Sequence, residues 1–320
     1  MKKNNPEILA EALDFDQQIT TRIKHGFIPD LRKQRRVRWF YNNVWREPEF
    51  VRIHVMPQIN KIILIARKRG GRVIEIGCGS GFLTLELARH NLDVTGVDIS
   101  PKNIEVAKRY REKNRSNKNF GSLQYIHGDV TSMNLGDNKF DTVIFFGTLH
   151  HIRDLDKVLS KMHDAMKPNG NIIICEPVRG NITYASAEFA AIIRAILPTW
   201  IPYEKKLKKL TTPNGWGKYV QEIYDEYTFK GKNRQSTFDN VTSSEKIILA
   251  TVKKYFQIKK IHRYDAFLDK IIGGLRGKDR YVLATFLKCL DDDLVVRKVL
   301  PNTKIFIHAV KTPQKPKRKK

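Results

Sequence analysis

The stretch Val73-Ile74-Glu75-Ile76-Gly77-Cys78-Gly79-Ser80-Gly81 decides the fold of this 320-residue chain. Its apolar β-branched residues are typical of a buried strand, and the three glycines after them permit a tight turn into a helix. That helix places Phe82, Leu83, Leu87 and Ala88 on one side. A strand that leads through a glycine loop into a helix predicts the first unit of a parallel sheet covered by helices.

The same alternation of strands and helices continues along the chain. Ser100 caps a predicted helix that begins with Pro101 and reaches Lys113. Apolar residues at helical spacing mark another helix from 155 to 166. The turn 167–170 leads into the fifth strand. Six further strands are predicted, at 92–98, 121–126, 140–146, 171–175, 256–264 and 303–310.

The spacing of the glycine loop distinguishes between nucleotide cofactors. A dinucleotide site has G-x-G-x-x-G, whose last glycine lets helix and strand pack closely beside a pyrophosphate. Phe82 stands at that position here, and the pattern is Glu75-x-Gly77-x-Gly79-x-Gly81. Asp98 ends the second strand, where a carboxylate can accept from both hydroxyls of a ribose. The sequence therefore predicts a ribose ligand without a pyrophosphate.

Four pieces in this order resemble the class I S-adenosylmethionine-dependent methyltransferases, especially the small-molecule group that includes ubiquinone and menaquinone biosynthesis enzymes. Residues 73–81 resemble the family's first motif, and Val97-Asp98 resembles its ribose-binding acid. Gly128-Asp129-Val130 resembles the adenine-contacting motif, and residues 140–152 resemble the fourth strand and its active-site loop. The resemblance covers residues 70–178. It implies an α/β fold with a Rossmann-like, seven-stranded, mostly parallel sheet, helices on both faces and S-adenosylmethionine as cofactor.

The resemblance also implies which residues bind the cofactor. Asp98 could instead cap a helix, and Asp129 could be only a turn residue. Cys78 occupies a loop position that requires a small side chain, so we interpret it as a spacer rather than a nucleophile. The predicted cofactor-binding residues are Glu75, Gly77, Cys78, Gly79, Gly81, Asp98, Ile99, Asp129, Val130 and Phe146.

His150 and His151 follow the fourth strand, at the edge where open α/β sheets place their ligands. Methyl transfer to a hydroxyl or a protonated amine needs a base, and the ordinary pKa of histidine suits that role. We predict that His150 is the base. His151 is the second candidate, and either histidine could instead only shape the pocket. The chain lacks the Asn/Asp-Pro-Pro-aromatic motif of many amino-methylating enzymes and a well-placed cysteine for attack on pyrimidine C5.

The charge distribution separates the centre of the chain from its flanks. The net charge is +26, yet residues 71–178 carry 14 basic and 13 acidic residues. The excess of basic residues in the flanks is compatible with binding to an anionic membrane, to nucleic acid or to an anionic acceptor.

Three cysteines without a CxxC pair favour a reduced cytosol and predict no metal site. No apolar run reaches the length of a membrane span. We expect a cytoplasmic protein, with peripheral contact at the inner membrane face left open.

The flanks are predicted to build the acceptor site. Trp39, Tyr41 and Trp45 lie among arginines and are predicted to contact the acceptor. Residues 179–241 are too long for an ordinary connection and are interpreted as a lid. Its apolar face and lysine cluster could pack on the core or lie at a bilayer interface. The predicted domains are an N-terminal helical cap at 1–70, a cofactor core at 71–178, the lid, the completed sheet at 242–310 with a helical insert at 266–300, and a disordered basic tail at 311–320.

Three functions remain open from the sequence. The first is methylation of an oxygen or nitrogen of a small molecule, which includes anionic and lipid-linked metabolites. The second is modification of RNA, with the basic flanks holding phosphates. The third is a non-catalytic binding protein of the same fold, which the intact glycine loop and Asp98 disfavour.

Overall fold

The computed structural model describes residues 6–115, 119–229 and 233–312. Seven strands form one sheet in the order β3-β2-β1-β4-β5-β7-β6. β7 runs antiparallel to both of its neighbours, and the other strands are mutually parallel. The strands are β1 Arg72–Ile76, β2 Asp93–Asp98, β3 Leu123–His127, β4 Phe140–Phe146, β5 Met166–Pro177, β6 Phe256–Tyr264 and β7 Lys304–Lys311.

Helices cover both faces of the sheet, as the sequence predicts. One face packs against α3, α4 and α5, and the other packs against α6 and α10. The helices in the described ranges are α1 Pro6–Lys24, α2 Pro48–His54, α3 Met56–Arg69, α4 Phe82–Ala88, α5 Pro101–Glu112, α6 Leu155–Ala165, α7 Tyr184–Ile196, α8 Tyr203–Leu210, α9 Gly215–Thr228, α10 Glu245–Tyr255 and α11 Arg280–Val296.

Strand β4 shows why the sheet is buried on both sides. Val143 and Phe145 belong to one core, while Ile144 between them belongs to the other. Side chains of a strand alternate between faces, so a continuous apolar run fits a strand covered twice. The predicted bounds of β1, β4 and β6 agree with the structure, and the predicted cap Ser100 accepts from the amide of Asn103.

The predicted turn 167–170 lies inside β5 rather than before it. The register between β4 and β5 shifts between Phe140 and Thr142, and Asn169 has a φ of 59°. The extra residues form an irregularity that the longer strand β5 accommodates.

A second helical core lies beside the sheet. Helices α7 and α9 pack with α2, α11 and residues 266–275, and small residues such as Ala187, Ala190 and Ala191 face this contact. This packing agrees with the interpretation of the lid as a segment packed on the core. Helix α11, Arg280–Val296, lies within the helical insert predicted at 266–300. Residues 313–320 of the predicted basic tail lie outside the described residues.

The lengths and hydropathy of the helices bear on membrane insertion. Within the described ranges, none of the helices combines the length and apolar composition that a bilayer span requires.

Candidate functional site

A cavity of about 620 Å³ lies at the carboxyl edge of the sheet. The parallel strands end at this edge, and β7 begins there because it runs in the opposite direction. Open α/β sheets bind ligands at this edge. The cavity follows the sheet from the loop after β2 to the start of β7, so one space is lined by residues from both ends of the chain.

The three glycines of the loop after β1 have separate roles. Gly77 and Gly79 line the cavity with φ values of 69° and 51°. A Cβ at Gly79 would meet no atom within 4 Å, whereas one at Gly77 would overlap the side chain of Thr148. Gly81 does not line the cavity, and a Cβ there would overlap Tyr125. Gly81 thus permits the start of α4 to pack closely against Tyr125. Only Gly77 and Gly79 lie where a ligand could approach their backbone.

Glu75 and Cys78 lie in the protein core rather than on the cavity wall. Each is 2% exposed. Burial, and then the nearby Asp98 carboxylate, raises the pKa of Glu75 well above its usual value, and its Oε2 has no partner among the described residues. Burial likewise raises the pKa of the Cys78 thiol. The predicted direct contact of these two side chains with the cofactor is therefore not what the structure shows.

Asp98 lies at the end of β2 and lines the cavity beside Ile99. Its carboxylate accepts from the amides of Gly79 at 2.7 Å and Ser100 at 2.9 Å. Burial raises the pKa of Asp98 to about 6, although these two amides oppose the shift. A buried carboxylate with acceptor capacity left at a cavity wall suits the hydroxyls of a ribose.

Asp129, Val130 and Phe146 also line the cavity. Asp129 accepts from the amide of Thr131 at 2.8 Å and from its hydroxyl at 2.5 Å. It therefore stabilises its own turn while lying on the wall. The edge of Phe146 meets the ring of Phe82, with centroids 5.9 Å apart. Together with Asp98 and the two glycines on the wall, Gly77 and Gly79, these residues fit an adenosine-containing cofactor.

His150 is oriented by a carboxylate that sequence reasoning missed. Its Nδ1 donates to Oε2 of Glu176 at 2.8 Å, and Glu176 also accepts from the amides of Thr148 and Leu149. Burial, and then His151, lowers the pKa of His150 to about 4, which Glu176 offsets only in part. The Nε2 atom has no hydrogen bond to any residue that the structure describes, so its lone pair is available at the cavity.

His151 repeats this arrangement with a carboxylate from the N-terminal helix. Its Nδ1 lies 2.8 Å from Oε1 of Glu11, and the Ser236 hydroxyl donates to the same oxygen at 2.7 Å. The centroids of the two histidine rings are 4.0 Å apart. Two adjacent imidazoles, each held by a carboxylate at Nδ1, leave two Nε2 atoms as candidate proton acceptors.

The three aromatic residues that were predicted to contact the acceptor lie in different places. Trp45 lines the cavity. Trp39 and Tyr41 do not, and they are 46% and 66% exposed. Trp39 stacks on His25, and Tyr41 contacts Trp200. The turns between α1 and α2 direct these two side chains to the surface, which corrects the expectation that they contact the acceptor.

The lid contributes less to the cavity than the sequence suggested. Arg179, Gln235 and Phe238 line the wall, but no residue of α7, α8 or α9 does so within the described part of the chain. Helix α1 covers the cavity instead, with Phe15 and Ile19 on the wall. The predicted N-terminal cap therefore faces the cofactor side as well, where Asp16 accepts from the hydroxyl of Ser100 and the amide of Lys102.

Sequence reasoning missed several ionisable residues that line the cavity. Glu176 could have been found, because an acidic residue at the end of a strand recurs at Glu75 and Asp98. Others are distant in sequence and belong to no local motif. Among the missed residues are Glu11, His54, Glu176, Asp269 and Lys304.

Two groups of histidine and acidic residues have spacing that could suit a metal. In one group, Arg179 lies 3.2 Å from Asp239, beside His150 and His151. In the other, Lys304 lies 3.0 Å from Asp265 and 2.7 Å from Asp269. A positively charged side chain already pairs with a carboxylate of each group, so neither supports a metal ion.

Comparison with known proteins bears on this site. Residues 67–231, just over half of the chain, match the family described as a methyltransferase domain. The mitochondrial ubiquinone biosynthesis O-methyltransferase of Schizosaccharomyces pombe is 36% identical over 105 residues, which are 33% of this chain and 37% of that protein. The ubiquinone/menaquinone biosynthesis C-methyltransferase UbiE of Klebsiella pneumoniae subsp. pneumoniae is 27% identical over 54% of this chain and 68% of its own length.

A solved structure confirms the fold. Geranyl diphosphate C-methyltransferase from Streptomyces coelicolor A3(2), crystallised with Mg²⁺, geranyl-S-thiolodiphosphate and S-adenosyl-L-homocysteine, has a TM-score of 0.56 and 10% identity, covering 98% of this chain and all of that one. The chain spans little more than a third of the first curated relative, so the acceptors of the relatives are not assigned to it here. The family match and the cofactor wall lead to one conclusion. The chain belongs to the methyltransferase-domain family and is a class I S-adenosylmethionine-dependent methyltransferase of the group that includes the ubiquinone and menaquinone biosynthesis enzymes.

Proposed function

We propose that this enzyme transfers a methyl group to an oxygen of a small aromatic acceptor that bears a hydroxyl group. The observation that carries the proposal is the pair of His150 and Glu176 at the cavity wall, with Nε2 of the histidine free of hydrogen bonds to the described residues. An alcohol or phenol must lose its proton as the new bond forms, and an oriented imidazole is a suitable acceptor for that proton.

The wall beside these residues is aromatic. Ring centroids are 5.7 Å apart between Phe27 and Trp45, 4.9 Å between Trp45 and Phe82, and 5.9 Å between Phe82 and Phe146. All four rings line the cavity. Aromatic side chains pack favourably with a further ring by stacking or edge contacts. This wall supports a planar acceptor rather than an extended polar one.

The residues act by holding the acceptor and receiving its proton. When bound, S-adenosylmethionine supplies an activated methyl group on a positively charged sulfur. His150 takes the hydroxyl proton at Nε2, while the acceptor oxygen forms a bond to the methyl carbon and the carbon–sulfur electrons stay with sulfur. Glu176 holds Nδ1–H and stabilises the imidazolium. Helix α1 excludes water through Phe15 and Ile19.

The low pKa of His150 is compatible with this role. Burial penalises an added positive charge on the imidazole. His150 would gain its positive charge as methyl transfer neutralises that of a bound S-adenosylmethionine, so the net charge of the cavity would not change. A resting pKa of about 4 also keeps the imidazole neutral, and therefore able to accept, across the physiological pH range.

The relatives support an acceptor of this class. Their names specify methylation of oxygen or carbon in ubiquinone and menaquinone biosynthesis. We extend this to a quinol-like or phenolic acceptor, with or without a lipid tail. Neither nitrogen methylation, modification of RNA nor a non-catalytic role is favoured by these relatives.

A screen for methyl transfer tests the proposal. The full chain is incubated with S-adenosylmethionine labelled in the methyl group, and the acceptors are phenol, the three benzenediols, aniline and a short structured RNA. We expect label in methyl ethers of the phenols, and loss of that label with His150→Gln. Label confined to ring carbons, to aniline or to RNA would overturn the oxygen assignment.

We also propose peripheral contact of α7 and α8 with an anionic membrane, and cytoplasmic localisation stays a prediction. Ile196 and Leu207 are 64% and 61% exposed, next to exposed Lys205, Lys208 and Lys209. Apolar side chains flanked by lysines suit a bilayer interface. Leu207→Ser should reduce sedimentation with phosphatidylglycerol vesicles, and Val282→Ser on α11 is the matched exposed control. Equal sedimentation with phosphatidylcholine vesicles would contradict the proposal.

A further inference from the structure

A buried group of charged residues lies at the end of the cavity away from the cofactor. It comprises His54 from α2, Asp265 and Asp269 after β6, and Lys304 at the start of β7, and we call it the Lys304 cluster. His54 and Asp265 are almost completely buried. Lys304 and Asp269 keep 23% and 29% of their side chains exposed. His54, Asp269 and Lys304 line the cavity.

The sheet order places this cluster on the acceptor side. Asp98 follows β2, His150 follows β4 and Glu176 lies in β5, whereas Lys304 begins the next strand, β7. Neighbouring strands are about 4.8 Å apart, so β4, which leads to His150, lies two strand spacings, or about 10 Å, from β7. An aromatic ring that bears an oxygen at each edge, with one hydrogen bond of about 2.8 Å at each oxygen, is long enough to reach from His150 to the Lys304 cluster.

The contacts within the cluster leave a hydrogen-bond donor and an acceptor side by side. Lys304 Nζ donates to Oδ1 of Asp269 at 2.7 Å and lies 3.0 Å from Oδ2 of Asp265, which accepts no hydrogen bond from the described residues. An ammonium group has three N–H bonds, so the bond to Asp269 leaves two. Oδ2 of Asp269 accepts no hydrogen bond in the described part of the chain, and the Lys270 ammonium lies 4.0 Å away.

His54 lies beside the same groups. Its Nε2 lies 3.5 Å from carboxylate oxygens of both Asp265 and Asp269 and 3.4 Å from Lys304 Nζ. Burial opposes a charge on His54, but Asp265, together with Asp269, raises its pKa overall. A hydrogen bond from Lys304 to this nitrogen uses a second N–H of the ammonium and still leaves the third.

We propose that the Lys304 cluster binds a neutral hydroxyl group of the acceptor, separate from the oxygen that is methylated. The hydroxyl accepts from Lys304 Nζ and donates to Asp269. A hydroxyl can accept and donate at once, whereas an ionised carboxylate has no proton to donate and would lie against the carboxylate of Asp269. The enzyme thereby selects aromatic rings with two oxygen substituents over rings with one. This inference rests on the proposed aromatic acceptor and names its second recognition point.

Binding of matched small probes tests the inference independently of turnover. Phenol and the three benzenediols are titrated under argon, by calorimetry, into full-length protein saturated with S-adenosylhomocysteine. We expect at least one diol to bind about tenfold or more tightly than phenol, which corresponds to one added charge-assisted hydrogen bond. Lys304→Met should reduce the affinity for that diol to the level for phenol and leave the affinity for phenol within about twofold.

Control variants separate recognition from folding. Lys259→Met changes an exposed lysine on β6 and should have no effect on either affinity. Lys304→Met leaves carboxylates without their partner, so the double variant Lys304→Met/Asp265→Asn repeats the test with one charge removed from each side. Asp269→Asn removes the proposed carboxylate acceptor and should also weaken diol binding.

Several results would overturn the inference. They are equal binding of phenol and all diols, no binding of any of them, equal loss of phenol and diol affinity in both Lys304 variants, and tighter binding of 4-hydroxybenzoate than of any diol. Methyl transfer is measured in parallel. Transfer to phenol without diol preference would refute only the hydroxyl subsite, and diol preference without transfer would refute only the proposed function.

Discussion

The two halves of the cavity are built in different ways. The cofactor half comes from loops directly after β1, β2, β3 and β4, all within the neutral centre of the chain. The acceptor half combines Glu11 of α1, His54 of α2, Glu176 of β5 and Lys304 of β7. A shared cofactor is bound by consecutive local motifs, whereas acceptor recognition depends on contacts between distant segments.

The two halves also differ in the groups that hold their carboxylates and in the direction in which the pKa of each carboxylate is shifted. In the cofactor half, Asp98 is held by backbone amides, and burial raises its pKa. In the acceptor half, carboxylates are paired with side chains, and the ammonium of Lys304, together with His54, lowers the pKa of buried Asp265 to about 2. The Asp98 carboxylate therefore titrates near pH 6, and the Asp265 carboxylate stays ionised over the same range. Mutations can test this division, beginning with the largest expected effect.

The largest expected effect concerns His150, which lies between the cofactor half and the acceptor half of the cavity. His150→Gln should lower kcat by about 10²- to 10⁴-fold, the usual effect of removing a general base. Affinity for S-adenosylmethionine should stay within about twofold, because the side chain acts on the acceptor. Stopped assays of turnover and calorimetry of cofactor binding measure the two quantities. His151→Gln is the matched control and should cost less.

The pH profile identifies the histidine that acts as base. With saturating cofactor, wild-type activity should fall as the pH drops through about 4, since the pKa of His150 is lowered to that value. Assays must therefore extend below pH 5. A His150→Gln enzyme that keeps this acidic limb at the same midpoint would show that another group is the base.

The next effect belongs to the cofactor half. Asp98→Ala should weaken S-adenosylmethionine binding by roughly 10²-fold, since a hydrogen bond to a charged group contributes about 1.5–3 kcal/mol. Wild-type affinity should also weaken as the pH falls through about 6, where the buried carboxylate gains a proton and loses acceptor capacity. Calorimetry between pH 5 and 8 measures both effects. Unchanged affinity in Asp98→Ala would refute the ribose assignment.

A smaller effect is expected at Gly81, and it tests whether this glycine is required for packing of α4. Gly81→Ala should lower the free energy of unfolding by roughly 2 kcal/mol or more, because the residue has a φ of 84° and a Cβ would overlap Tyr125. Gly277→Ala is the matched control, with a φ of 86° and no atom within 4 Å of its Cβ. Urea unfolding should show a smaller loss for the control. Equal losses would mean that backbone strain, and not packing of α4, explains Gly81.

The smallest effect distinguishes the aromatic residues before α2. Trp45→Leu should raise the KM for the acceptor about tenfold, or 1.4 kcal/mol, because its ring lines the cavity. Trp39→Leu should leave KM unchanged, because that ring stacks on His25 at the surface. The comparison is made with any acceptor found by the phenol screen. A larger effect at Trp39 would contradict the placement of the acceptor.

The structure also changes how the lid can be tested. Deletion of residues 182–210 would remove Ala187, Ala190 and Ala191 from the second hydrophobic core, which would expose Phe267 and Leu275. Loss of activity after such a deletion would report unfolding. Single changes at Arg179 or Phe238, which line the cavity, address the acceptor contact instead.

The sequence by itself determined the sheet, the cofactor and the loops that line one half of the cavity. Strand patterns, the loop from Gly77 to Gly81 and Asp98 are local features, because a strand end and the turn after it are fixed by neighbouring residues. The same reasoning reached His150 and His151 through their place after β4. It did not reveal that the side chains of Glu75 and Cys78 are buried in the core rather than on the cavity wall, because the face of a strand end cannot be read without its packing.

Only the tertiary structure decided the acceptor half. Nothing in the neighbours of His54, Asp269 or Lys304 marks them as partners, since they meet only when α2 docks and β7 inserts between β5 and β6. The carboxylates that orient the two histidines likewise come from α1 and β5. Side-chain contacts between distant segments depend on how elements pack, and periodicity records only which face of each element is buried.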